Sequence, residues 1–451
     1  MRRGSAILLL AASGLAACAV GPDFHPPPAP AGADYTATPV PARFDAAGQQ
    51  QTLVRGQDIP GAWWQLYRSP ALDRLIRRAL AANPTIEAAQ ASLRQAREAV
   101  YAQEGAYFPN VSASFSPSYN KTATGSVSAA SASGNPYYSL NTAQLSVSFV
   151  PDVFGGTRRA VESAVAQAEA QRFQLEATYL TLIANLVNAA VQEAGLREQI
   201  EVTNRVIAFG EDALRLLRKQ RDLGQIAGLD VLTQETTVAQ ARATLPPLQK
   251  QLEQNRDQIA ALLGRRPDQS PTETFTLTDL HVPTELPLSL PSLLVAQRPD
   301  VRQAEENARS ANAQIGVAIA NRIPAVNLTA AIGSSPANLA NLFGPGQGFF
   351  TVAGSIAQPI FEGGTLLHRQ RGAEAAAAQA DAQYRATVLA AFQNVADALH
   401  ALDADTRTVA ATQDAASTAA AALEVVRTQL RLGQVSYLAL LTSEQALLQA
   451  S

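Results

Sequence analysis

Between Thr157 and Asp222 apolar residues return every seven positions. One register is Leu175, Leu182, Ala189, Leu196, Thr203, Gly210 and Leu217; a second, four residues on, is Tyr179, Leu186, Glu193, Ile200, Ile207, Leu214 and Arg221. Most of these positions are apolar, so one stripe stays buried along the run, as in helices wound against neighbours. No proline occurs between Pro151 and Pro246. A continuous helix here would be about 100 Å long at about 1.5 Å per residue, against a mean helix of about 11 residues in globular domains. The run closes at Arg221-Asp222-Leu223-Gly224, where glycine can take the left-handed conformation that ends helices. Leu229-Asp230-Val231-Leu232 starts a return helix, which Pro246-Pro247 should kink and which ends near Leu262-Leu263-Gly264.

The design is repeated. Gly433-Gln434 stands 209 residues after Gly224-Gln225, and Leu441-Thr442 and Glu444 answer Leu232-Thr233 and Glu235 in the same register. Earlier in each half, Arg298-Pro299-Asp300-Val301 aligns with Asn83-Pro84-Thr85-Ile86, and Pro324-Ala325-Val326 with Pro109-Asn110-Val111, both 215 residues apart. The chain is thus a duplicated long-helix coiled-coil unit, with a first repeat over 61–264, a connector over 265–292 and a second repeat over 293–451. The first repeat runs forty residues beyond its glycine turn, to Gly264; the second runs eighteen, to Ser451, so the C-terminal helix is expected to be truncated.

Inside each repeat the period changes to two. In Val111-Ser112-Ala113-Ser114-Phe115-Ser116 and again in Ala143-Gln144-Leu145-Ser146-Val147-Ser148-Phe149, apolar and hydroxylated residues alternate. Val326, Leu328, Ala330 and Ile332 alternate with Asn327, Thr329 and Ala331, and Phe350, Val352, Gly354 and Ile356 form a weaker series. Four strands are predicted, at about 109–120, 140–151, 324–333 and 349–359, each with one oily face and one polar face. In a soluble sandwich the oily face meets another sheet; in an outer-membrane barrel it meets lipid. Aromatics at the strand ends, Tyr107-Phe108, Tyr137-Tyr138, Phe149 and Phe154, suit either arrangement.

The N-terminus reads as an export signal over 1–17: Arg2-Arg3, an apolar core from Ala6 to Ala12, then small residues. It ends Leu15-Ala16-Ala17-Cys18, similar to the bacterial lipoprotein processing motif, so Cys18, the one cysteine, is the expected lipidation site. Residues 18–60 are proline-rich and read as an extended, uncompacted lipidated tether. Net charge is −3 without a basic block, which argues against nucleic acid. The four histidines have no ligand spacing, and no nucleophile elbow or phosphate loop is present. The chain therefore reads as no enzyme, with no metal site and no cofactor.

Four lipid-compatible strands pose a counting problem. An open sheet edge in hydrocarbon costs several kcal/mol per unsatisfied group, and the smallest single-chain barrels use about eight strands. Copies must therefore assemble. Three would give a 12-stranded barrel with a polar lumen and would gather the long helices into an α-barrel.

These stretches resemble one family closely: Cys18-Ala19-Val20-Gly21-Pro22-Asp23-Phe24, Trp63-Trp64-Gln65-Leu66, Arg298-Pro299-Asp300-Val301-x-x-Ala304-Glu305, Ile315-Gly316 and Pro359-Ile360-Phe361-Glu362-Gly363-Gly364. The chain after Cys18 is similar to TolC-like outer-membrane efflux channels of the lipoprotein type paired with RND pumps. The resemblance implies a fold that is mostly α with a small β part, four transmembrane strands per chain in a homotrimeric barrel, and outer-membrane lipid around it. It implies helical tips in the periplasm, docked by an adaptor (membrane fusion) protein and fed by an inner-membrane RND-type pump. Carried over, Gly224, Gln225, Gly433 and Gln434 are expected to dock the adaptor, and Asp230, Tyr437, Leu438 and Thr442 to form the periplasmic gate. The family often has aspartate where Thr442 stands, so closure here is expected to rest on Tyr437 and Leu438. A type I secretion channel and a periplasmic structural or adaptor lipoprotein are the competing readings.

Overall fold

The structure, a computed structural model, describes residues 19–26, 34–46, 49–121 and 137–450; Cys18 and the export signal lie outside them. Chain order among the described residues is β1 (Arg43–Ala46), β2 (Gln49–Arg55), α1 (Pro70–Ala82), α2 (Pro84–Glu104), β3 (Asn110–Lys121), β4 (Tyr137–Phe149), α3 (Gly156–Asp222) and α4 (Gly228–Leu262). Then come β5 (Glu285–Leu288), α5 (Pro291–Gln297), α6 (Pro299–Ala320), β6 (Ala325–Ser334), β7 (Gly348–Ala357), α7 (Thr365–Arg431) and α8 (Tyr437–Ala450). The helices α3 and α7 are each 67 residues long. Pro246 and Pro247 lie within α4, which is assigned without interruption; the two missing N–H groups do not end it.

The chain divides into two compact units. The first comprises Met1–Pro28, Ser92–Phe173 and Arg302–Ala386 and holds one antiparallel sheet in the order β3-β4-β6-β7. Its helical part is stitched by small and polar groups. The Ser163 and Ser310 hydroxyls lie 2.8 Å apart, and Gln314 Nε2 donates to Ser163 Oγ at 2.8 Å. Ala166, Ala308 and Ala313 are buried alongside, and the ring of Phe173 lies under the guanidinium groups of Arg172 and Arg302. Small side chains let helix backbones approach closely, which makes a hydroxyl-to-hydroxyl bond possible.

The second unit comprises Ala29–Ala91, Gln174–Val301 and Thr387–Ser451. Its core gathers Leu72, Leu75 and Ile76 of α1, Ile86 of α2, Leu186 and Val187 of α3, Ile259 of α4, and Phe275. The expected stripe of α3 is largely buried: Leu182, Ala189, Leu196 and Leu217 from one register, Leu186 and Leu214 from the other. Glu193 falls on that stripe as a buried carboxylate and is satisfied there, accepting from Arg197 at 2.7 Å and Arg256 at 2.9 Å. A buried charge left without such partners would be strongly destabilising.

Local signals explain the helix breaks. Ser69 Oγ accepts from Leu72 N at the start of α1. Asn83 separates α1 from α2: its Oδ1 accepts from Thr85 N at 2.8 Å while its Nδ2 donates to Leu262 O at 2.7 Å. At the start of α6, Arg298 grips Asp300 with two nitrogens at 3.0 and 2.8 Å, and Val301 N donates to the same carboxylate. Burial pushes the Asp300 carboxyl up, but Arg298 outweighs it and holds the group below its ordinary value.

The proline-rich stretch departs from the expected tether. Arg43–Ala46 and Gln49–Arg55 form β1 and β2, and β2 pairs in parallel with β5, Leu53 opposite Leu286. Phe44 is buried, and Gln51 Nε2 donates to Pro283 O at 2.8 Å. The segment is compact because its partner lies in the expected connector, more than two hundred residues on, and a local reading of composition does not reach that far. In the first unit, Ala19–Phe24 is likewise docked rather than loose.

Candidate functional site

The β3-β4-β6-β7 sheet carries the alternation predicted for it across every strand pair. In register, Val111 faces Val147, Val147 faces Ala330, and Ala330 faces Val352. One row further on stand Ala113, Leu145, Ile332 and Phe350. These rows make one continuous oily face, and it is uncovered: Val111 is 60% exposed, Ile332 63%, Phe350 80% and Val352 78%. The intervening row, Ser112, Ser146, Ala331 and Thr351, is small or hydroxylated. A packed soluble sheet would bury the first row; an unburied apolar patch this large marks contact with lipid or protein. Tyr119 stacks on Tyr137 at 6.1 Å and Lys121 Nζ sits over the Tyr137 ring at 5.3 Å, an aromatic and cationic rim at the end of the β3–β4 hairpin.

Between β4 and the first turns of α3 lies a clamp that sequence reasoning missed. Arg159 of α3, 5% exposed, donates from Nε to Val20 O at 3.1 Å and from one terminal nitrogen to Gly21 O at 3.2 Å and Asp23 at 2.7 Å. Val20 N donates to Phe154 O at 3.0 Å, and Asn312 Nδ2 to Pro22 O at 2.9 Å. Gly21, at φ +95°, lies so close to Gly316 that an added Cβ would come within 2.5 Å of its Cα. Hydrogen bonding and charge from Arg159 hold the Asp23 carboxyl below its ordinary value. The Val20-Gly21-Pro22-Asp23-Phe24 motif is thus a docking peptide, and its receptor, Arg159, could have been sought from the wish of Asp23 for a cation.

The two glycine turns lie in the second unit and close identically. Gly224 has φ +73° and Gly433 φ +71°. Gly224 N donates to Arg221 O and Gln225 N to Gln220 O; Gly433 N donates to Leu430 O and Gln434 N to Gln429 O, all within 2.8–3.0 Å. This pair of bonds is the Schellman closure. Neither glycine has an atom within 4 Å of an added Cβ, so φ rather than crowding requires glycine there. All four residues Gly224, Gln225, Gly433 and Gln434 are exposed. Asp230 is exposed in the first turn of α4, and Thr442 is exposed on α8; Tyr437 and Leu438 open α8.

Side-chain surroundings of the turns differ. Beneath the first, Leu214, Leu217 and Val231 form a small buried cluster. Arg218 bonds Glu235 at 2.7 Å and Arg242 bonds Glu211. Near the second, Arg427 bonds Glu424 at 2.6 Å and stacks on Phe209 at 4.5 Å. Glu444, between α3, α4 and α8, has a buried oxygen without a hydrogen-bond partner, as has Gln234. Burial pushes Glu444 up to about 7, against a smaller downward pull from Arg427. Among the described residues no cluster of His, Cys, Asp and Glu has the spacing to hold a metal ion, and no helix is long and apolar enough to cross a membrane.

A sheet oily over one whole face, with β3 and β7 unpaired on their outer sides among the described residues, in a chain with two helices of 67 residues, defines a protomer of an outer-membrane channel. Comparison with known proteins narrows the class. Residues 75–265 and 290–451 match the outer membrane efflux protein family, and the chain belongs to it. Similar proteins include the pyoverdine export outer membrane protein OpmQ of Pseudomonas putida, 29% identical over 409 residues that cover 90% of this chain and 86% of that protein. The probable efflux pump outer membrane protein TtgC of the same species is 29% identical, covering 86% and 78%. Among solved structures, the outer-membrane channel OprN superposes with a TM-score of 0.86 at 29% identity, covering 96% of this chain and 94% of that one. VceC of Vibrio cholerae superposes with a TM-score of 0.79 at 26% identity, covering 87% and 93%. The chain is a TolC-like outer-membrane efflux channel, and its relatives are channel and efflux proteins rather than enzymes.

Proposed function

We propose that three copies close edge to edge into a twelve-stranded barrel in the outer membrane, continued into the periplasm by their helices. The assembly is the passive exit duct of a tripartite efflux pump, coupled through a periplasmic adaptor to an inner-membrane RND-type pump. The observation that carries this reading is the unbroken oily face of a sheet whose edge strands, β3 and β7, have no further partner strand among the described residues. Lipid offers such edges no hydrogen bonds, so only closure with other copies satisfies them. The duct performs no chemistry of its own; energy enters through the pump. Relatives are named for pyoverdine export and for toluene and antibiotic efflux, which favours small organic molecules over secreted proteins as the material passed.

The exposed turns at Gly224-Gln225 and Gly433-Gln434 are the adaptor-docking positions in this proposal, supported by their matching closure. Asp230, Tyr437, Leu438 and Thr442 form the gate. Cys18 carries the acyl anchor, supported by the docking of the residues that follow it. The tests are direct. A Cys18→Ser chain should still need detergent for extraction and should elute with the mass of three copies; release into buffer as a single copy would sink the channel reading. Tyr437→Ala combined with Leu438→Ala should raise the resting single-channel conductance, and an unchanged conductance would remove both residues from the gate.

A further inference from the structure

The repeat relates Arg218 to Arg427 and Glu235 to Glu444, each pair 209 residues apart. In the first repeat the arginine and glutamate meet at 2.7 Å. In the second they do not. Position 424, where the first repeat has Arg215, is a glutamate, and it captures Arg427 at 2.6 Å. Glu444 is left facing a cavity of about 430 Å³ between α3, α4 and α8.

That cavity is rich in acceptors. Gln234, 1% exposed, lines it; its amide nitrogen donates to Gly210 O at 2.9 Å, and its buried amide oxygen has no hydrogen-bond partner. The hydroxyls of Thr203, Thr237 and Thr244 each donate back to a carbonyl of their own helix, leaving lone pairs. Val206, Val238 and Ala241 supply apolar wall. The volume falls within the range of about 300–1,000 Å³ typical of small-molecule sites. A buried oxygen without a donor is costly, and a carboxylate beside one calls for a cation that brings N–H groups and an apolar body.

We propose that this cavity binds a small organic ammonium ion, its N–H groups donating to Glu444 and to the Gln234 amide oxygen. Bound there, the ion ties three helices together. The charged groups around Glu444 permit it: on α7, Arg427 is committed to Glu424; on α3 and α4, Arg218 pairs with Glu235 and Arg242 with Glu211; α8 carries no other acidic or basic side chain. The site does not depend on the adaptor or gate assignments.

The test is calorimetric titration of the full chain in detergent with benzylammonium chloride, and with benzyl alcohol as the neutral isostere. One saturable site per chain is expected at pH 8, at least tenfold weaker for the alcohol and at least tenfold weaker for the cation at pH 6, where Glu444 holds its proton. Glu444→Gln should lose at least tenfold with its thermal transition retained. Glu424→Ala, a change at an exposed side chain outside the cavity, should free Arg427 for Glu444 and lose affinity comparably. Equal binding of cation and alcohol, uptake that does not saturate, or undiminished affinity in Glu424→Ala and Glu444→Gln would each overturn the site.

Discussion

The turns at Gly224 and Gly433 share one backbone and differ in what lies beneath them. Both close with the same two hydrogen bonds at the same left-handed glycine. Under the first, leucines and a valine fill the space and the charges pair off. At the second, Leu423 and Leu440 are also buried, but a glutamate faces a cavity while the arginine due to it is held elsewhere. Duplication preserved the part set by φ and by helix-end geometry. It left the side chains free to diverge, and a change at one position, Arg215 against Glu424, is enough to redirect a charge.

The comparison breaks most visibly at the core of the first turn. Leu217 is fully buried, so Leu217→Ala should cost about 2–4 kcal/mol, read as a lowered thermal midpoint of the assembled protein. Next come the glycines. Gly224→Val and Gly433→Val should each cost about 1–2 kcal/mol through backbone strain alone, since neither side chain would clash. Both should keep the trimeric mass and lose drug tolerance in a complementation assay to a similar degree, because Leu423 and Leu440 are buried at the second turn as Leu214 and Val231 are at the first. Full tolerance in either variant would mean that the left-handed closure of that turn does not matter.

A smaller effect should follow from Glu424→Ala. Freed, Arg427 should draw the Glu444 titration down from about 7 toward the ordinary carboxyl range, as seen by carbon-13 NMR; an unmoved titration would show that Arg427 is not diverted. The smallest is a pH dependence of α8. Because the packed state raises the Glu444 carboxyl from 4.5 to about 7, it holds a proton that the unpacked state releases. Packing is therefore firmest below the lower value, weakens as pH rises between the two, and levels off above. Hydrogen-exchange protection of α8, corrected for intrinsic rates, should fall from pH 5 to pH 8, and Glu444→Gln should flatten it.

What could be read from sequence follows the range of the interaction. The strands at Asn110–Lys121 and Ala325–Ser334 lie within a residue of their expected bounds, because alternation is local and neither edge of the pattern is blurred. Tyr137–Phe149 begins three residues before its expected start, where Tyr137-Tyr138 interrupts the serine alternation. The length of α3 was legible from its glycine turn and its heptads. By contrast, the pairing of Gln49–Arg55 with Glu285–Leu288 has no local signature, since Gln-Gln-Gln-Thr carries neither period. The Arg159 clamp and the Glu444 cavity were also out of reach. Both arise where charged groups compete for partners, and that competition is settled by rotamers rather than by spacing.

The two free edges of the sheet are unlike: β3 has twelve residues and includes Pro117, while β7 has ten. A closed ring must then join β3 of each copy to β7 of the next, head to tail, so every subunit guards two seams at once. A copy altered to refuse pairing at one edge would poison any assembly it entered. Mixed in equal amounts with the normal chain, it would leave only about one ring in eight whole, and resistance conferred by this duct would be lost in a dominant fashion.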